Sequence, residues 1–376
     1  MKYCSNCLQP DTRPGITFRE DGVCAACIYA SEVKPAIDWS NRHKELMEIV
    51  AWAKASRRGA YDCIVGVSGG KDSHFQALYA KEQLGLRTLL VNYYPDDMTD
   101  EGRRNLDNLC NQGFDLISIR PNPKVMAACC RKSFYELLHP VKPTEYPLHV
   151  VTCQAALKFD IPLFIHGENI ALTLGVTGAR KTDGDALGCR DNVTVAGGNA
   201  ADWLQEGISM DDLYWFQYPD EDDLRKNVRG IHLDYYVPEF SRQNNMQFAI
   251  SRGLVGRSIT DPMETGALSP YTNIDSNMQL LSNMLKWYKF GFGYVTDEVC
   301  YDIRAGLLTR EAAIPLVEKY DGKCDARYIE EFCQYIGITP DEFWRVVGLH
   351  VNRSLFVQDD DGRWVPQFQV GLGLRE

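Results

Sequence analysis

Residues 65–73 read VGVSGGKDS, and their side chains describe an anion cradle. Gly69 and Gly70 let the backbone approach a phosphate and adopt positive φ. Consecutive N–H groups, with the N-terminus of a following helix, then face the charge. Ser68 and Ser73 add hydroxyl donors, and Lys71 adds a point charge. Asp72 repels a bare phosphate, so it is expected to hold Mg²⁺ on the phosphates. The spacing differs from the common nucleoside-triphosphate loop, Gly-x-x-x-x-Gly-Lys-Ser/Thr. A second constellation is Cys4-x-x-Cys7 with Cys24-x-x-Cys27, the pairs 16 residues apart. Four thiolates in two knuckles suit tetrahedral Zn²⁺ in a closed, structural site, which would stabilise a unit too small to fold alone. An iron–sulfur cluster is the alternative occupant.

These residues need elements to position them. Residues 61–67 (YDCIVGV) predict a buried strand running into the Gly-rich loop, followed by a helix from Ser73 to Gly85. Further strands are expected at 86–93, 114–119 and 162–166, with helices at 101–112, 124–138 and 150–159. Such alternation implies a doubly wound parallel α/β sheet, whose ligands sit outside the carboxyl ends of the strands. Residues 1–30 look like a separate small unit and 31–58 like a linking helix, with the main domain over 59–270. Within it, 170–270 reads as long functional loops with short elements. The region 271–376 is mainly helical, with starts at Thr309 and at Thr339-Pro340-Asp341-Glu342, where threonine caps and acids meet the positive dipole end.

Several residues gain meaning from this frame. Asn92 ends the second strand, at a position where related folds contact the adenosine of a nucleotide; a capping or turn role is the alternative. Gly167, Glu168 and Asn169 end the fourth strand on the ligand face. Gly167 is expected beside ATP. Glu168 is expected to bind Mg²⁺ or orient ammonia, with a loop salt bridge as the alternative. Arg180 and Lys181 lie in a Gly-rich stretch and either clamp a substrate anion or form a solvated pair. His74 and His166 flank the expected site without an assigned role. Cys129 and Cys130 are expected in the core, as is the aromatic run 286–297.

The phosphate loop resembles the pyrophosphate loop of the N-type ATP pyrophosphatases (PP-loop enzymes, with the adenine nucleotide alpha hydrolase-like fold). CSNCLQPDTRPGITFREDGVCAAC followed by YDCIVGVSGGKDS resembles, more narrowly, the start of the N-acetyl sugar amidotransferases of the WbpG type. NYYPDDMTDEGRRNLDNL, ISIRPNPKV, HGEN, RGIHLDYYVP, YTNID, KFGFGYVTDEVCYDIRAGLLTREAAIPLVEKYDGK and GITPDEFW continue the likeness in order. The resemblance implies a zinc ribbon and an ATP-dependent conversion of an acetamido group to an acetamidino group. The substrate would be a UDP-linked diacetamido sugar or sugar acid of O-antigen and lipopolysaccharide biosynthesis. It implies an O-adenylyl imidate, with AMP and pyrophosphate as products, so that Lys71 and Asp72 of the loop, joined by Glu168 on the ground of its position, are the expected catalytic residues. It also implies a separate glutaminase subunit, similar to that of imidazole glycerol phosphate synthase, as the ammonia source. The residues agree: Lys2 follows Met1 where an N-terminal glutaminase needs cysteine, and Cys63, Cys110, Cys153 and Cys189 lack a Gly-x-Cys-x-Gly elbow.

Net charge is −11 over 376 residues, without a long basic block, which counts against a nucleic-acid partner. No apolar run approaches the length of a membrane helix, and no secretion signal precedes the cysteines, so a cytoplasmic protein is expected. The odd count of 13 cysteines argues against a disulfide framework. A tRNA sulfurtransferase is the alternative enzyme. It would need a catalytic cysteine pair and a basic face, whereas no Cys-x-x-Cys follows residue 27. A scaffold with an inert loop is the non-enzymatic alternative, opposed by the intact hexapeptide.

Overall fold

The computed structural model describes residues 1–176, 182–188 and 198–375. Its centre is a parallel sheet of β1 (Cys63–Gly66), β2 (Thr88–Tyr93), β3 (Asp115–Ile119), β4 (Leu163–His166) and β5 (Arg229–His232), in the order β3-β2-β1-β4-β5. Val65 of β1 sits between Leu90 of β2 and Ile165 of β4. The strands are short apolar runs because both faces are covered.

Alternation of side chains divides the interior in two. Cys63 and Val65 face a core with α2 (Trp39–Ser56), α3 (Lys71–Glu82) and α4 (Asp100–Asn111). Ile64 faces the other core, with α5 (Pro123–Leu137) and α6 (Lys142–Lys158). Each fully buried Leu, Ile or Phe contributes about 1.5–3 kcal/mol. The chain runs outward from β1 to β3, returns through α5 and α6, and resumes at β4 on the other side of β1. The direction reverses between β1 and β4, so the loops after these two strands flank one crevice.

Two elements differ from expectation. The helix expected at 150–159 begins at Lys142 and contains Pro147. Pro143 sits in its first turn, where a missing N–H costs nothing, and the two prolines hid the start. The region expected as loops supplies β5, a four-residue edge strand paired with β4 from Leu163↔Arg229 to His166↔His232. It also supplies α8 (Glu221–Asn227), α9 (Arg242–Ser251) and α10 (Pro262–Thr265), after the single turn α7 (Ile170–Thr173).

The C-terminal region holds α11 (Met278–Phe290), α12 (Tyr294–Arg304), α13 (Arg310–Tyr320), α14 (Ala326–Ile336) and α15 (Pro340–His350), then two small hairpins over 356–374. Thr309 and Thr339 cap their helices by accepting from Ala312 N and Glu342 N, each cap contributing about 1 kcal/mol. The helices join the sheet's second core: Phe134 of α5 stacks on Phe343 of α15 at 5.0 Å between ring centres. The cysteine-bearing unit joins it too. Leu8 is fully buried, and α1 (Ala25–Ile28) follows Cys24. Gln9 Nε2 donates to Asp297 Oδ1 at 2.8 Å, and Thr12 Oγ1 donates to the Phe290 carbonyl at 2.6 Å.

Candidate active site

β1 ends in the loop Ser68–Gly70, and α3 starts at Lys71. Gly69 has φ +91°, and a Cβ there would lie 2.6 Å from the Gly102 carbonyl oxygen, so only glycine fits. The Gly70 carbonyl accepts from Ser73 Oγ and lies 3.0 Å from the ring Nδ1 of His74. Burial lowers the His74 pKa to about 4, so its ring is neutral and serves the loop's shape. The first N–H groups of α3 have no intrahelical acceptor and are available to an anion.

Lys71 Nζ donates to Asp72 Oδ2 at 2.7 Å, and Asn245 Nδ2 of α9 donates to Asp72 Oδ1 at 2.9 Å. Burial opposes the charge on Asp72, but Lys71, Asn245 and Arg242 outweigh it and hold its pKa below the usual range. The side chain remains 43% exposed, leaving lone pairs open to a cation. After β4, the turn Gly167–Asn169 is tied down by Asp234. Its Oδ2 accepts from Asn169 N at 2.9 Å, and its own N–H donates to the Gly167 carbonyl at 3.1 Å. Gly167 lies against the Gln76 amide, which occupies the space a Cβ would need. Glu168 is exposed and lines the crevice. Desolvation there, and next the charge of Asp72, raise its pKa.

Lys71, Asp72 and Glu168 line one cleft of about 250 Å³. Its other walls come from distant segments: Tyr29 and Lys34 after the cysteine unit, Arg242 at the start of α9, and Tyr294, Tyr301 and Arg304 of α12. Arg242 pairs with Glu298 and Asp302 but leaves its buried Nε without a partner. Arg304 donates to the Thr173 carbonyl at 3.2 Å, while its buried Nη1 is unpartnered. These are hydrogen-bond donors held at a cleft without their acceptors. No cysteine lines this cleft among the described residues.

The four cysteine sulfurs lie within 4.8 Å of one another and are buried. Cys4 and Cys27 Sγ are 3.9 Å apart, and Cys7 and Cys24 Sγ 3.8 Å. A tetrahedron with metal–sulfur bonds of about 2.3 Å has edges of about 3.8 Å, so the set fits one Zn²⁺. Backbone N–H groups of Cys7, Gln9 and Cys24 point at these sulfurs.

The structure brings together Lys71, Asp72, Glu168 and the loop Ser68–Ser73. Asn92 is fully buried beneath it. Its Nδ2 donates to the Val67 carbonyl at 2.7 Å and its Oδ1 accepts from Ser118, linking the ends of three strands. Arg180 and Lys181 lie outside the described residues. Sequence reasoning missed Lys34, Asp234, Arg242, Asn245, Tyr294, Tyr301 and Arg304. Tyr301 and Arg304, three apart on a helix, carried a weak signal, and so did Asp234, two residues past a strand. Asn245 carried none.

Residues 267–369 match the model described as LPS biosynthesis protein WbpG-like, C-terminal domain. No curated protein matches the chain. Among solved structures it is similar to NMN synthetase from Francisella tularensis, at 14% identity over 57% of this chain and 94% of that one, TM-score 0.30. It is also similar to NAD+ synthetase from Burkholderia pseudomallei, at 14% identity over 60% and 92%, TM-score 0.27. Both likenesses are too distant to carry an argument. Residues 267–369, the segment that brings Tyr294, Tyr301 and Arg304 to the cleft, are what is similar to that WbpG-like C-terminal domain.

Proposed function

We propose that this chain is the ATP-dependent synthetase of a sugar amidotransferase, turning an acetamido group of a UDP-linked sugar into an acetamidino group in cytoplasmic lipopolysaccharide biosynthesis. The observation that carries this reading is that the WbpG-like segment closes the cleft in which Lys71 and Asp72 face Glu168.

An amide carbonyl resists ammonia because its oxygen is a poor leaving group. In the proposed reaction that oxygen attacks the α-phosphorus of ATP, and the bond to the β-phosphate oxygen breaks. Lys71, Ser68, Ser73 and the N–H groups of α3 hold the departing pyrophosphate. Asp72 would hold Mg²⁺, which supplies positive charge against the phosphates. The amide proton passes to the departing pyrophosphate, which leaves a neutral O-adenylyl imidate. Ammonia then attacks carbon, Glu168 accepts a proton, and AMP leaves with the former amide oxygen. A raised carboxylate pKa suits that proton transfer. Arg180 and Lys181 are proposed to clamp the sugar's diphosphate or its carboxylate, and the cysteine unit to hold structural Zn²⁺. Ammonia comes from a partner glutaminase.

The test is incubation of the purified chain with ATP, Mg²⁺, an ammonium salt and UDP-linked diacetamido sugars. Mass spectrometry should show one carbonyl oxygen replaced by NH, with AMP and pyrophosphate formed. No conversion of any such sugar would refute the reading.

A further inference from the structure

A second cavity, of about 360 Å³, lies across α7 from the Glu168 cleft. Ile170 and Leu174 line it, whereas Leu172 and Thr173 of the same segment line the cleft. Arg13, Lys142, Lys286 and Lys289 also line it, together with His139, and among the described residues no carboxylate does. In a chain of net charge −11 this concentration of cations is unusual.

Only two of the four cations have an acidic partner, and they share one carboxylate. Arg13 and Lys286 share the buried Asp297, Lys286 Nζ at 2.8 Å. Lys289 Nζ donates to the Leu137 carbonyl at 2.7 Å. Among the described residues, neither Lys289 nor Lys142 has an acidic partner. His139 Nδ1 is buried without a hydrogen bond. The crowding has consequences. Burial, and then Lys142, lower the Lys289 pKa to about 8; burial, then Lys289 and Lys142, lower that of His139 to about 3. Gathering unpaired cations costs stability unless an anion completes the site.

We propose that this cavity binds the diphosphate of a nucleoside diphosphate. Two uncompensated lysines match at least two negative charges. A bare inorganic anion would gain nothing from the apolar part of the wall, where Phe290 and Leu174 can cover a ribose or base. The ATP phosphates already have the loop after β1. Lys286 Nζ lies 5.8 Å from the Tyr294 ring, which lines the cleft, so the two sites adjoin. Identifying the occupant as the nucleotide end of the sugar substrate rests on the amidotransferase reading; the anion site does not.

Calorimetric titration of the full chain with UDP, inorganic pyrophosphate and ATP tests this. UDP should bind more tightly than pyrophosphate, and saturating ATP should not displace it. Lys142→Met and Lys289→Met should each weaken UDP binding about tenfold, as expected for loss of one charge-assisted contact. Their ATP binding should be unchanged, which also shows that they fold. In the wild type, UDP affinity should fall as salt rises. Unchanged UDP affinity in both variants, displacement of UDP by ATP, or pyrophosphate binding as tight as UDP would overturn the proposal. If UDP binds at these lysines but no sugar is amidinated, the function falls and the site stands; the converse removes the site alone.

Discussion

Asp72 is the residue on which the proposed chemistry turns, and Asn245 fixes one of its oxygens. Asp72→Asn should reduce amidination at least a hundredfold without altering the fold, because charge stabilisation is usually the largest catalytic contribution. Asn245→Ala should instead raise the Mg²⁺ concentration for half-maximal activity by about tenfold, the lower range for losing a partner of a metal ligand. Mg²⁺ titration of both variants checks this; an unchanged requirement in Asn245→Ala would show that its bond to Asp72 is incidental. Asp234 gives a pH signature. Burial, with Glu168 adding to it, raises its pKa from 3.8 to about 7. Below about pH 4 both folded and unfolded chains hold the proton. Between about 4 and 7 only the folded chain does, so this contribution to stability is lost as pH rises through that range. Asp234→Asn should therefore flatten the decline in stability over that window, measured by urea unfolding; an identical slope would contradict the assignment. The loop residues were legible because one hexapeptide carries their chemistry. Asn245, 173 positions from Asp72, belongs to the site only through folding.

Helix α12 shows how elements connect the parts. Fully buried Cys300 accepts a bond from Leu8 N at 3.3 Å beside the cysteine unit, while Tyr301 and Arg304 on the same helix reach the cleft. The four-cysteine unit thereby supports a wall of the cleft as well as its own knuckles. Elemental analysis should find about one Zn²⁺ per chain, and a strong chelator should lower the melting temperature, with zinc restoring it. Cys24→Ser should reduce solubility. Absence of zinc, or a brown iron–sulfur chromophore, would contradict this. The strands before each site loop were readable from apolar runs bounded by glycine. β5 was not, since a four-residue edge strand has too short a pattern to separate from loop. The start of α6 was masked by Pro143 and Pro147, tolerated because of where they fall in the helix.

The whole molecule assembles the cleft from segments near residues 30, 70, 170, 242 and 300. Four of the five strands and the ligand edge were legible in the sequence, yet the cations of the cleft, Lys34, Lys71, Arg242 and Arg304, come from four of these segments, and only tertiary packing joins them. Among the described residues, no helix is long and apolar enough to cross a membrane. The chain also lacks a Gly-x-Cys-x-Gly elbow. Ammonium salts should therefore support turnover, with a rate that rises with pH as free ammonia increases. Glutamine should serve only with a partner glutaminase present, and then with a flatter pH profile. Glutamine hydrolysis by the isolated chain would overturn the partner claim. The central claim is that the acetamido oxygen departs on AMP. Substrate labelled with ¹⁸O in the reacting acetamido group, turned over with ATP and ammonium, tests it most directly. The label should appear in AMP, with unlabelled pyrophosphate; label in orthophosphate, accompanied by ADP, would contradict adenylylation.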